Sequence, residues 1–149
     1  MKKIYVFDLD GTLSNCDHRQ EFALNKDWDT FHSLCAEDRV YPNVQRLFID
    51  LSTLDDNDIV IITGRDEAYR KQTEKWLEKH YLFPDQLIMR PTGDYRKDSE
   101  FKIEAVCNFL GADSNAPEQV IAWFEDRDQL VEDLRNAGFT VLQVKAGAY

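Results

Sequence analysis

The stretch that most constrains this chain is Lys3-Ile-Tyr-Val-Phe-Asp8-Leu-Asp10-Gly11-Thr12-Leu13. Residues 4–7 form a short, continuous apolar run rich in β-formers, the pattern of a strand buried on both faces. Asp8 and Asp10 follow two positions apart, and in extended chain residues i and i+2 point the same way. Gly11-Thr12 then breaks the strand, so two carboxylates are aimed into one crevice. Such a pair repels, which invites a divalent cation between the two or a raised pKa on one. Both outcomes suit phosphoryl chemistry. The plainer alternative is a polar strand end closed by an Asp-Gly turn.

Other apolar runs repeat the pattern along the chain. Ile59–Ile62 reads as a second buried strand ending in Thr63-Gly64-Arg65, Leu87–Met89 as a short third, Val120–Phe124 as a fourth ending in Glu125-Asp126, and Thr140–Val144 as a fifth. Helical periodicity lies between them. Pro42-Asn43 starts a helix with Val44, Leu47, Phe48 and Leu51 on one face. Asp66 caps a helix reaching about His80 with Tyr69, Thr73, Trp76, Leu77 and His80 inward. Asp98 caps a third, with Phe101, Val106 and Phe109 inward and Gly111 as its stop. A last helix carries Leu130, Val131 and Leu134. Between Ser14 and Tyr41, Trp28, Phe31, His32, Leu34 and Cys35 suit a short helix capped by Asp27 or Asp29. Trp28 is expected to pack that segment inward.

Apolar strands alternating with amphipathic helices make an α/β fold with a mostly parallel sheet, here a single domain spanning 1–149. In such sheets ligands sit outside the carboxyl ends of the strands, at the switch point. Asp8/Asp10, Thr63 and Glu125/Asp126 all fall at that edge.

Composition narrows the classes. The formal net charge of −10 argues against broad, sequence-independent adhesion to nucleic acid. The charge is uneven: nine of the 18 Lys and Arg lie between Arg65 and Lys102, against eight of the 28 Asp and Glu. No apolar run approaches the ~20 residues of a membrane span. The three cysteines, Cys16, Cys35 and Cys107, have no C-x-x-C spacing and read as reduced thiols of a cytoplasmic protein.

Asp8-Leu-Asp10-Gly-Thr resembles the first motif of the haloacid dehalogenase-like (HAD) phosphohydrolases. Met89–Asp98, Glu125–Val131 and the ending Leu142-Gln143-Val144 with Gly147 and Tyr149 look like the phosphatase domain of phage-type polynucleotide kinase–phosphatase. The resemblance covers nearly the whole chain. It implies a Rossmann-like (HAD) five-stranded sheet in the order fifth, fourth, first, second, third, with a minimal helical cap over about 14–41.

The resemblance also assigns roles. Asp8 would be the nucleophile that forms an aspartyl phosphate, and Asp10 the acid for the leaving alkoxide and then the base for water, a role that needs a raised pKa. Thr63 would hydrogen-bond the phosphoryl oxygens and Lys102 neutralise their charge. Arg19, Gly64, Arg65, Arg96 and Asp98 would meet substrate, although Arg19 also reads as a surface salt-bridge residue. Mg2+ would be held by Asp8, the Asp10 carbonyl and Asp126. Glu125 stands where the family usually has Asp, and the extra methylene places it behind the metal.

The implied function is a Mg-dependent phosphomonoesterase, a polynucleotide 3′-phosphatase of nucleic-acid repair acting on a phosphorylated nucleic-acid end or nucleotide. A nucleotidase or general small-molecule phosphatase is an alternative in the same class. A catalytically silent phosphate-end binding subunit is one from another class. No kinase P-loop is present, so a separate kinase or ligase partner is expected. The gaps at 14–41 and 66–101 are too small for an enclosing cap, and Trp28 or Tyr95 offers a ring to a terminal base.

Overall fold

The computed structural model describes residues 2–111 and 114–149. Its strands are β1 (Lys3–Phe7), β2 (Ser14–Asn15), β3 (Arg39–Val40), β4 (Asn57–Asp66), β5 (Gln86–Arg90), β6 (Val120–Glu125) and β7 (Val141–Gln143). Its α-helices are α1 (Gln20–Leu24), α2 (Trp28–Ser33), α3 (Pro42–Ser52), α4 (Arg70–Lys79), α5 (Asp98–Leu110), α6 (Ala116–Gln119) and α7 (Asp128–Asn136). Five strands form one parallel sheet in the order β5-β4-β1-β6-β7. This is the order the sequence resemblance implies, with the Asp8 strand at the centre.

Two apolar layers cover the sheet. Ile4, Val6, Val60 and Ile62 pack with Phe101 and Val106 of α5 and Leu130, Val131 and Leu134 of α7. Phe7, Ile59, Ile61 and Phe124 pack on the other face with Phe48 of α3 and Trp76 and Leu77 of α4. Phe7 stacks on Phe124 at 4.3 Å and meets Phe48 at 5.1 Å. A strand irregularity reconciles β6 with its neighbour. Ile4 pairs with Val120 but Tyr5 with Ala122, so Ile121 is an extra residue and is 46% exposed. The bulge puts Val120 and Trp123 on one face although their separation is odd.

Residues 14–41 leave and rejoin the sheet through the antiparallel β2–β3 ribbon, with Tyr41 N–H donating to Leu13 O at 2.9 Å. Asp27 caps α2 by accepting from Thr30 N–H.

Several local expectations are corrected. Trp28 does not pack inward: it is 51% exposed, because Phe31 occupies the buried face of α2. Leu47 is likewise exposed, and only Phe48 of the α3 stripe is fully buried. Asp66 caps a short 3-10 turn (Glu67–Tyr69) ahead of α4, accepting from Ala68 N–H. Asp98 is not a cap; Lys97 is the N-cap and Asp98 the first helical residue, its carboxylate turned toward arginines. The three cysteines are free thiols. No helix of the described residues is long and apolar enough to cross a membrane.

Candidate active site

The carboxyl ends of β1, β4 and β6 and the start of α5 meet at one crevice of about 730 Å3. Asp8 extends β1 by one residue, its N–H donating to Phe124 O at 2.9 Å. The chain then winds around the Leu9 carbonyl, which accepts from the N–H groups of Thr12, Leu13 and Ser14. Gly11 sits in that turn at φ +86°, where a Cβ would also collide with the Asp126 carboxylate. A larger residue there would displace an acidic group of the site.

On the floor lies a buried cluster of one ammonium and several carboxylates. Lys102 Nζ is 2.7 Å from Asp8 Oδ1, 3.0 Å from Glu125 Oε2 and 3.9 Å from Asp98 Oδ2. Burial alone would push the Lys102 ammonium down, but the three carboxylates outweigh it and hold the group above its ordinary range. The acids are less well served. Burial first, and Glu125 second, raise the Asp8 carboxyl well above its usual value despite Lys102. Asp126 is pushed up to about 7 by burial and the Asp8 charge.

Asp8, Glu125 and Asp126 each offer an oxygen within 4.8 Å of the others. An all-oxygen donor set with more negative charge than one lysine can match fits a hard divalent cation. Glu125 has both oxygens engaged, Oε2 by Lys102 and Oε1 by the Asp126 N–H at 3.0 Å. Asp126 also has both oxygens engaged, Oδ1 by the Thr12 hydroxyl and Oδ2 by the Tyr149 hydroxyl.

The second half of the site is built on arginines. Arg65 Nη2 lies 2.5 Å and Arg19 Nη2 2.6 Å from Asp10 Oδ1. Burial disfavours the Asp10 anion, but Arg65 and Arg19 outweigh it and hold the carboxyl well below the usual range. The expected upward shift at Asp10 is therefore corrected: in this arrangement it is a firmly ionised carboxylate. Arg19 is fully buried, which corrects its reading as a surface residue. Its Nε and Nη2 grip Asp38 at 2.8 and 2.6 Å, Nη1 donates to Phe31 O at 3.0 Å, and the guanidinium lies over the Phe31 ring. Arg65 Nη1 donates to Thr73 Oγ1, whereas its buried Nε has no partner among the described residues.

Thr63 and Arg65 share a side of β4, and Thr63 Oγ1 accepts from the Arg65 N–H at 3.1 Å. Gly64 between them packs against Asp98, whose carboxylate a Cβ would strike. Asp98 Oδ1 accepts from Arg90 at 2.6 Å and Oδ2 from Arg127 at 3.4 Å. Burial would raise the Asp98 carboxyl, but Lys102 and these arginines bring it below its usual value. Arg96 stands at the crevice rim, exposed, with its guanidinium on Asp94 and Glu104.

The structure thus brings Asp8, Asp10, Thr63, Gly64, Arg65, Asp98, Lys102, Glu125 and Asp126 together. It places Arg19 behind Asp10 and Arg96 at the edge. Sequence reasoning assigned no site role to Asp38, Arg90, Arg127 or Tyr149. Asp38 sits in a polar stretch without a motif, so only the closed ribbon reveals it. Arg90, Arg127 and Tyr149 fall within the quoted family-like segments, which was the available signal.

Asp38 is buried and its carboxylate meets Arg19, His18 and, at 3.6 Å, Arg65. Removing one partner of such a buried pair strands charge in the interior.

The chain's similarities to known proteins follow this geometry. Residues 2–149 match the family described as the polynucleotide kinase PNKP phosphatase domain. The structure of the Pnkp1/Rnl/Hen1 RNA repair complex contains a chain similar at TM-score 0.80 and 29% identity, over 99% of this chain and 44% of that one. A second structure of the Pnkp1/Rnl/Hen1 complex gives the same TM-score and identity, with 48% of its chain covered. This chain therefore spans less than half the length of those relatives. A haloacid dehalogenase-like family hydrolase from Streptococcus pneumoniae shares the fold at TM-score 0.68 and 18% identity, over 95% of this chain and 84% of that one.

Asp38→Ala is expected to lower stability by ~3–5 kcal/mol, the usual result of orphaning a buried charge. Urea denaturation checks it, and a loss below ~1 kcal/mol would mean that Asp38 does not hold the arginines.

Proposed function

This chain belongs to the polynucleotide kinase PNKP phosphatase-domain family of HAD-type hydrolases, and on that footing we propose that it removes 3′-phosphates from polynucleotide ends by way of an aspartyl phosphate on Asp8. The observation that carries the reading is the Lys102–Asp8 contact of 2.7 Å at the floor of a crevice that also presents Arg65. A carboxylate, a buried ammonium and a guanidinium gathered at one crevice are the groups a phosphoryl site uses.

Asp8, the Asp10 backbone carbonyl and Asp126 would hold the magnesium ion, with Glu125 behind them fixed to Lys102 and the Asp126 N–H. When bound, the ion neutralises phosphoryl oxygens and keeps Asp8 ionised. An Asp8 oxygen attacks phosphorus, the bond to the 3′-oxygen breaks, and the leaving alkoxide takes a proton from Asp10. Water then attacks the phosphorus of the aspartyl phosphate, giving its proton to Asp10, and the bond to the Asp8 oxygen breaks to release phosphate and the free carboxylate.

Asp10 is ionised while Arg65 and Arg19 hold it. As an incoming phosphate draws Arg65 away, Asp10 takes up a proton from solvent and so becomes the acid in this scheme; it gives that proton to the leaving alkoxide and regains one from the attacking water. Arg19 stays tied to Asp38 and keeps the Asp10 carboxyl aimed at the crevice. Thr63, Gly64 and Lys102 complete the phosphoryl pocket, and Asp98 sets Arg90 and Arg127 at its side. Arg96 meets the strand only at the rim.

The crevice is open at its edge, where Tyr95 is 93% exposed. That opening favours a polymer end over an enclosed small molecule. The similar chain of known structure is part of an RNA repair complex, and this likeness supports a kinase or ligase as partner.

Asp8→Asn is expected to cut turnover by about a thousandfold or more while the melting temperature stays within a few degrees, because the isosteric amide is no nucleophile. Retention of about a tenth of the wild-type rate would remove Asp8 from the covalent role. On substrates, a 3′-phosphorylated oligonucleotide should show a higher kcat/KM than the matching 3′-mononucleotide, with the advantage shrinking as salt is added. Activity on both should vanish in EDTA and return with Mg2+. Equal, salt-independent efficiency would favour a nucleotidase instead.

A further inference from the structure

One wall of the crevice is aromatic and takes no part in the phosphoryl chemistry. Trp28 lies at the start of α2, lines the crevice and is half exposed. Its indole is edge-on to Phe31, with centroids 5.8 Å apart at 90°, and faces His32 at 6.3 Å and 29°. His32 continues the row to Tyr69, 5.4 Å away at 35°. Tyr69 belongs to the turn after β4, so the row runs from the 14–41 insert onto the sheet. The other two tryptophans, Trp76 and Trp123, are buried. An indole left half in water at a crevice mouth forgoes the burial that drives such rings inward.

The surroundings say what kind of group fits there. Asp27 and Asp29 flank Trp28 and line the crevice with it, as does Asp66 beside the Tyr69 turn, and Lys26 is the one cation of that stretch, so the local balance is acidic. Phosphates are repelled by such neighbours, whereas an uncharged π face is not. Burial lowers the His32 imidazole below its ordinary range, with Arg65 and Arg19 adding to it and Asp10 and Asp66 opposing. The rim arginines, Arg96 and Arg127, come from other segments, after β5 and after β6.

We propose that the Trp28–His32–Tyr69 row is a nucleobase subsite that stacks the base of the 3′-terminal nucleotide while its phosphate sits at Asp8. This rests on the 3′-end reading above. The crevice, at about 730 Å3, has room for more than a phosphoryl group. Stacking needs only a π face, so the subsite selects for the presence of a base and is tolerant of its identity.

The test compares kcat/KM for a 3′-phosphorylated oligonucleotide with that for the same strand whose terminal nucleotide is abasic. The wild-type chain should favour the base-bearing end by roughly 5- to 100-fold. Trp28→Ala should bring that ratio close to one, and Trp28→Phe should retain part of it. In an Asp8→Asn chain the base-bearing strand should quench emission from Trp28, the one half-exposed tryptophan, and the abasic strand should not. A wild-type ratio near one, or an undiminished ratio in Trp28→Ala, would overturn the subsite. Hydrolysis of glycerol phosphate with neither strand cleaved would instead overturn the 3′-end reading on which it rests.

Discussion

The Lys102 ammonium sits among Asp8, Glu125 and Asp98, and the site is arranged around that buried charge. It joins three parts of the chain that are distant in sequence: the end of β1, the end of β6 and the first turn of α5. A lone buried ammonium would be strongly disfavoured, and so would each of the carboxylates. Together they tolerate burial, but the balance is incomplete, since Asp8 and Asp126 are both pushed upward. That residual negative charge is the physical reason the pocket suits a divalent cation and then a phosphoryl group. Gly11 packs against Asp126 so closely that there is no room for a side chain.

The arginine half of the site follows the opposite logic. Arg19 and Arg65 converge on one oxygen of Asp10, and Asp38 shares the load from inside the 14–41 insert. This couples the insert to the loop after β1 by charge, reinforced by the β2–β3 ribbon. An insert of two short helices, with its Phe31 carbonyl and ring spent on Arg19, has little left to form an enclosing lid. Openness of the crevice and rigidity of Asp10 therefore share one cause.

Much of this was legible in the chain itself. The apolar runs ending in Asp8/Asp10, Thr63-Gly64-Arg65 and Glu125/Asp126 located β1, β4 and β6 and the edge where their residues meet, because strand burial and the switch point both leave local patterns. Strand order came from the family resemblance. What was not legible depended on distant partners. Trp28 looked like a core residue until Phe31 was found on the buried face of α2. Asp98 looked like a helix cap, since short acids often are, but Arg90 and Arg127 claim its oxygens. Asp38 had no motif, and the direction of the Asp10 shift was set by two guanidiniums brought from nine and 55 residues away. The Ile121 bulge also left no mark, because a continuous apolar run hides a change of register.

The proposed reaction passes through a phosphoryl group carried by Asp8. The most direct measurement is acid quench of the enzyme during turnover of an oligonucleotide with a radiolabelled 3′-phosphoryl group, followed by peptide mapping. The expected result is label on the peptide containing Asp8, removed by hydroxylamine and absent from an Asp8→Asn chain. Label on another residue, or no protein-bound label at any time from before the first turnover to steady state, would contradict it.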